Sequence, residues 1–294
     1  MKKRKFIEYD HNETFNEEID KASEAQIEKL LQQGKVKCVY ATKTIIAGNQ
    51  VEVEIYPEFT RKQMKCDQSI MPKSSEAQKK LNDDNARKKL ERLVNTNFGD
   101  GDIWATLTYD NDHLPDSMEE MLKNMKNYIR RIQYQRKKRG LPPAKYIYIT
   151  EFNEEEKIRC HHHLIIDGAL DMDVIESTWK CGRRNNTRRT RTDDSGLSGM
   201  STYISKDPRG SKRWCSSMNL KQPVVRKNHQ DFRMKQIRQM TENRNMIREI
   251  VEKKYKGMVY LNESARYNQH NGRTYFYIRL AIPKDERKCK KRDE

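Results

Sequence analysis

Apolar and polar residues alternate with period two over residues 36–57. Val36, Cys38 and Tyr40 lead to Ala47-Gly48-Asn49, and Val51, Val53 and Ile55 resume the pattern, which predicts a β-hairpin. Residues 1–34 are polar, with a short helix predicted over Glu24–Leu31. The spacing turns helical over 75–96, with Leu81, Ala86, Leu90 and Leu93 on a weak stripe that ends at Gly99-Asp100-Gly101. Ile103–Tyr109 is a strand by its β-branched and aromatic content. Ser117 and Glu120 form a capping box for a helix reaching about Arg139, with Met121, Met125, Ile129 and Ile132 on its apolar face. Gly140 ends that helix and Pro142-Pro143 bars its continuation. Lys145–Phe152 and Cys160–Ile166 predict an antiparallel hairpin. Asp173 with Glu176 caps a short helix through Trp179, closed at Gly182. An arginine-rich loop follows, then a short helix carrying Tyr203 and Lys206 before Pro208. Residues 229–256 predict one long basic helix, and 258–282 a last hairpin around Asn271-Gly272. This succession suits an α+β fold, an antiparallel β-sheet with packed helices.

Apolar residues are 34% of the chain, below the usual share, so parts of it must lie at the surface. The net charge is +17 and recurs near 61–92, 123–139, 183–191, 206–213 and 233–256. Positive charge so spread favours a polyanion, nucleic acid first. None of the six cysteines forms a CxxC pair, which argues against a zinc ribbon or redox motif. No segment approaches transmembrane length, and the basic start MKKRKFIEYD has no apolar stretch after it. The expectation is a cytoplasmic chain with reduced thiols and no membrane partner.

The most informative segment is Cys160-His161-His162-His163-Leu164-Ile165-Ile166. Side chains alternate faces along a strand, so His161 and His163 point one way and can share a divalent ion. Cys160, His162, Leu164 and Ile166 take the other, mostly apolar face. Glu151, at the end of the preceding strand, is the expected third ligand. Two imidazoles and a carboxylate leave positions for water and a phosphate oxygen, which suits Mg²⁺ or Mn²⁺, with zinc left open by the ligand set. Tyr203 and Lys206, three apart on a helix, share a face. A phenol ionises near pH 10 and is a weak nucleophile unless a nearby cation assists it. Thr106 and Thr108 share a face of an otherwise ordinary strand.

A Thr-Leu-Thr strand, a His-x-His strand and a Tyr-x-x-Lys helix, in that order, resemble the HUH endonucleases, most of all the replication initiators of small plasmids and single-stranded DNA phages. The resemblance covers residues 100–215 well. It implies a ferredoxin- or RRM-like palm and an HUH endonuclease core over 98–215. Around it lie the polar extension 1–34, a hairpin and basic helix over 35–97, and a basic helix with hairpin over 216–294. Tyr203 follows the histidine strand, whereas in conjugative relaxases the tyrosine typically precedes it. Two departures stand out: His162 replaces a bulky apolar residue, and Asp207 stands one turn beyond Tyr203, so the chain looks like a one-tyrosine enzyme.

The implied activity is metal-dependent nicking and joining of single-stranded or hairpin origin DNA through a 5′-phosphotyrosine, starting rolling-circle replication of a plasmid or phage. Lys206 would stabilise the phenolate or the phosphate. Arg183, Arg184, Arg188, Arg189 and Arg191, with Arg209, Lys212 and Arg213, are candidate phosphate contacts, and Trp214 a base-stacking or core residue. No GxxxxGK[ST] run occurs, so strand separation falls to a host helicase and extension to a host polymerase. The rival readings are an HUH transposase, a non-catalytic DNA-binding regulator on the same fold, and a zinc-stabilised binding module.

Overall fold

The computed structural model describes residues 38–59, 75–152, 160–183, 185–197, 214–268 and 272–283. In chain order these form β1 (Cys38–Ala47), β2 (Gln50–Phe59), α1 (Ser75–Asn97), β3 (Ile103–Thr108), α2 (Met118–Lys138), β4 (Tyr146–Glu151), β5 (His161–Ile166) and α3 (Met172–Thr178). Then come β6 (Asn186–Arg189), β7 (Cys215–Ser216), β8 (Val224–Asn228), α4 (Met234–Glu242), α5 (Asn245–Lys254), β9 (Val259–Asn268) and β10 (Arg273–Ala281). The helix expected over Glu24–Leu31 and the one expected to carry Tyr203 lie outside the described residues. No described helix is long and apolar enough to cross a membrane. The strands make two antiparallel five-stranded sheets, in two compact units. The α+β class is as the sequence predicts.

One unit comprises the described parts of Met1–Asn85 and Pro223–Glu294. Its sheet runs β8-β1-β2-β10-β9. The β1–β2 turn uses Gly48 at φ 63°, a left-handed conformation that costs glycine little. Val51, Val53, Ile55, Phe276, Ile278 and Leu280 alternate onto one face and bury against Ile237 and Met240 of α4 and Ile247, Ile250 and Val251 of α5. The single long helix expected over 229–256 is thus two helices. The apolar stripe of α4 does not continue in phase into α5, and Asn243 at φ −138°, ψ 109° breaks the helix. The Asn243 side-chain oxygen accepts the Asn245 N–H, which starts the next one.

The second unit, Ala86–Gln222, holds the sheet β6-β3-β5-β4-β7. Taken as β3-α2-β4-β5-α3-β6, four of its strands lie in the order fourth, first, third, second. That is the split β-α-β arrangement of ferredoxin-like folds, with β7 added at the edge. Ala105, Leu107, Tyr148, Leu164 and Ile166 face Met121, Met125, Ile129 and Ile132 of α2 and Ile175 of α3. Each such buried aliphatic side chain contributes about 1.5–3 kcal/mol. On the opposite face, Trp104, Ile147, Ile149 and Ile165 meet Leu90, Leu93 and Val94 of α1.

The Ser117 hydroxyl accepts the Glu120 N–H as expected, while the Glu120 carboxylate accepts from Asp116, one residue outside the expected box. Buried Arg136 ties the end of α2 to Pro142 O and Asp167 Oδ1, at 2.5 and 2.6 Å. Two local expectations need correction. The α3 helix begins after Asp171, two residues before Asp173, and the Glu176 carboxylate accepts from Thr187 Oγ1 on β6 instead of capping. The arginine-rich run contains strand β6, paired with β3, in place of the expected loop. An edge strand with few buried side chains shows no apolar alternation, so periodicity could not reveal it.

A candidate metal centre on the central strand

β5 is the middle strand of the second sheet, and each neighbour lends it a residue at the same level. Register places His161 between Thr108 on β3 and Glu151 on β4, and His163 between Thr106 and Ile149. Cross-strand partners share a face, so Thr106, Thr108, Glu151, His161 and His163 gather on one side. The Nε2 atoms of His161 and His163 lie 3.1 Å apart. Glu151 Oε2 is 3.4 Å from His161 Nε2, and Oε1 is 3.5 Å from His163 Nε2.

These separations match what one ion demands. Donors about 2.1 Å from a metal lie roughly 3.0 Å apart at octahedral angles and roughly 3.4 Å apart at tetrahedral ones. Glu151, His161 and His163 therefore form a group able to hold a divalent metal. The His163 side chain is 5% exposed and Glu151 38%, so the site is deep at one ligand and open at another.

The surroundings prepare His163 as a ligand. Thr106 Oγ1 lies 3.2 Å from its Nδ1. With Nδ1–H donated to that hydroxyl, the Nε2 lone pair turns to the point shared with His161 and Glu151. Trp104 stacks on the ring at 5.5 Å. Burial, aided by neighbouring His161, pushes the His163 pKa down to about 4, so the imidazole is neutral near pH 7, as a ligand must be.

His162 points the other way, as alternation requires, and is fully buried. Its Nε2 meets Tyr109 Oη and its Nδ1 meets Thr150 Oγ1, both at 2.9 Å. Trp179 packs edge-on at 5.5 Å. Burial first, then the charges of His161 and His163, lower its pKa to about 3. Both ring nitrogens are held within the back layer, which shows how an imidazole occupies a position that would ordinarily take an apolar residue.

Residues 102–208 match the model of the replication-associated protein family named for ORF2. The matched stretch contains β3 through β6 and the whole metal-ligand group. It is consistent with a rolling-circle replication initiator. No curated protein and no solved structure matches the chain.

The other predicted site residues divide as follows. Tyr203, Lys206, Arg184, Arg209, Lys212 and Arg213 lie outside the described residues. Arg183, Arg188 and Arg191 are exposed. Arg189 donates through Nη1 to Gly101 O at 2.7 Å and Gly168 O at 2.9 Å, and through Nη2 to Leu170 O. It clamps two loops whose contact is so close that a Cβ on Gly168 would collide with Gly101 O. Trp214 is half-buried against the cluster that includes Leu90 and Ile147. The sequence reading missed the supporting roles of Thr106, Trp104 and Tyr109. Their only signal was position: once β3 is placed beside β5, Thr106 falls level with His163.

Proposed function

We propose that the protein nicks and rejoins single-stranded origin DNA through a 5′-phosphotyrosine on Tyr203, starting rolling-circle replication of a plasmid or phage. The convergence of Glu151, His161 and His163 carries this reading, since a replication-associated palm with three metal-ligating donors on its central strands suits phosphoryl transfer. A bound Mg²⁺ or Mn²⁺ would withdraw charge from the scissile phosphate. Tyr203 attacks phosphorus through its phenolic oxygen. A new O–P bond forms, the bond from phosphorus to the 3′ oxygen breaks, and that oxygen takes up a proton to leave as a 3′-hydroxyl. Lys206 stabilises the phenolate or the phosphate charge. Thr106 keeps His163 in its ligating tautomer, Arg183, Arg188 and Arg191 hold flanking phosphates, and Trp214 stacks or packs. A host polymerase extends the 3′-hydroxyl and a host helicase separates the strands.

The deciding experiment is incubation with single-stranded DNA of the parent replicon and Mn²⁺, followed by a denaturing gel and mapping of the DNA-linked peptide. The expected adduct maps to Tyr203 and is absent from Tyr203→Phe. DNA binding with no adduct under any divalent metal would leave a non-catalytic regulator.

A further inference from the structure

We infer that the DNA strand reaches the metal group across the β6 edge of the sheet, with Arg188 and Asn186 holding its phosphates and Arg189 taking no part. This rests on the nicking reading and adds the path of the substrate. Register sorts the arginine run. Arg188 pairs with Trp104 and Asn186 with Thr106, whereas Arg189 pairs with Ile103 and Thr187 with Ala105. Paired residues project to one face, so Arg188 and Asn186 share the face of Thr106 and His163, and Thr187 and Arg189 share that of α2 and α3. The contacts agree: Thr187 donates to Glu176 of α3, and Arg189 donates to three loop carbonyls.

Arg188 and Asn186 are exposed and make no hydrogen bond or ion pair among the described residues. Asn186 stands two strand spacings from His163, about 10 Å, and Arg188 roughly 7 Å further along β6. That is the neighbourhood of the phosphates beside the scissile one. Approach across β4 is closed, because Ile147 and Ile149 are buried against α1 on that face. A guanidinium fork matches a phosphate, and the excess of positive charge matches the strand as a whole.

The test uses full-length protein and a labelled thymidine oligonucleotide of about 16 nucleotides, in EDTA so that nothing is cut, over a range of salt. Arg188→Ala is expected to reduce the slope of log affinity against log salt by about 0.7 and to weaken binding about five- to tenfold. Asn186→Ala is expected to weaken binding about twofold with the slope kept. Arg189→Met, or the milder Arg189→Lys, is expected to lower the thermal midpoint and leave the slope unchanged. An unchanged slope in Arg188→Ala, or a slope reduced as much by either Arg189 variant, overturns the inference. The covalent adduct is assayed separately with Mn²⁺. A missing adduct with the expected slopes sinks the nicking reading and keeps the path; an adduct with the slopes reversed does the opposite.

Discussion

Glu58 in the first unit and Glu151 in the second each have histidine beside them, yet the chemistry differs. Glu58 is 3% exposed, and its oxygens are taken singly, one by Lys227 Nζ and the other by His229 Nε2 at 2.7 Å. Close hydrogen bonds to separate donors make an ion cluster that is closed on itself. Glu151 stands 3.4 and 3.5 Å from two imidazole nitrogens, beyond ordinary hydrogen-bond length. Its oxygens and both Nε2 atoms point at one another at the spacing of metal ligands. A carboxylate beside histidine on a sheet is therefore no site by itself; three lone pairs converging on one point are. The same contrast runs along the strands. Glu52 accepts from Tyr277 and Glu54 pairs with Lys43, in ordinary cross-strand contacts.

The strongest way to break the comparison is to alter one histidine and one glutamate. His163→Ala should slow cleavage of origin DNA on the order of 10³-fold, the scale of losing a main transition-state contact. Glu58→Gln should leave the cleavage rate intact and lower unfolding stability by about 2 kcal/mol, through weakened charged hydrogen bonds. Equal damage to cleavage by both variants would mean the two clusters are not different in kind.

Metal linkage comes next in size. All three tryptophans, Trp104, Trp179 and Trp214, lie in the second unit, so their fluorescence reports unfolding of that unit. Mn²⁺ at about 100 times its dissociation constant should add about 2.7 kcal/mol to its stability. His161→Ala and Glu151→Gln should abolish the gain, and Glu58→Gln should keep it. A gain that survives loss of His161 would place the ion elsewhere.

How much of this is legible in sequence depends on what each residue answers to. The β1–β2 hairpin, α1, α2 and the β4–β5 hairpin follow local periodicity and turn residues, and all four are readable. The triad is readable too, because His161, His163 and Glu151 sit on adjacent strands of one hairpin, where a two-residue period settles the face. The pairing of β2 with β10, which makes one sheet from hairpins more than 200 residues apart, leaves no local trace. Nor does the division of Arg188 from Arg189, which needs the partner strand. Thr106 reads only as a strand residue, because its value comes from lying level with His163.

Acid separates the units further. An unfolded histidine takes up a proton near pH 6.5, whereas buried His162 stays neutral until about pH 3 and His163 until about pH 4. The folded state thus binds fewer protons, and stability must fall as the pH drops below 6.5. His162 alone should cost about 1.7 kcal/mol between pH 6.5 and 5 in metal-free protein. His162→Gln should flatten the tryptophan-detected profile over that window. An unchanged slope would show that the ring takes up its proton at the ordinary pH in the folded protein.

The smallest and most selective change is Thr106→Val. Valine keeps the shape and removes the hydroxyl that lies 3.2 Å from His163 Nδ1. Nothing then holds the proton on Nδ1, and the Nε2 lone pair is offered to the metal for only part of the time. Mn²⁺ affinity should fall about tenfold, near 1.4 kcal/mol, at the lower end of what such supporting bonds contribute. Thr106→Ser, which restores the hydroxyl, should recover it. The first unit supplies the matching control, since Thr44 Oγ1 bonds Tyr255 Oη at 2.9 Å and is likewise on a sheet. Thr44→Val should cost about 1 kcal/mol of stability and leave Mn²⁺ binding unchanged. Free Mn²⁺ followed by electron paramagnetic resonance reads both variants. If Thr106→Val binds as tightly as the wild type, the hydroxyl does not set the tautomer, and the orientation of His163 must come from the Trp104 stack and the strand alone.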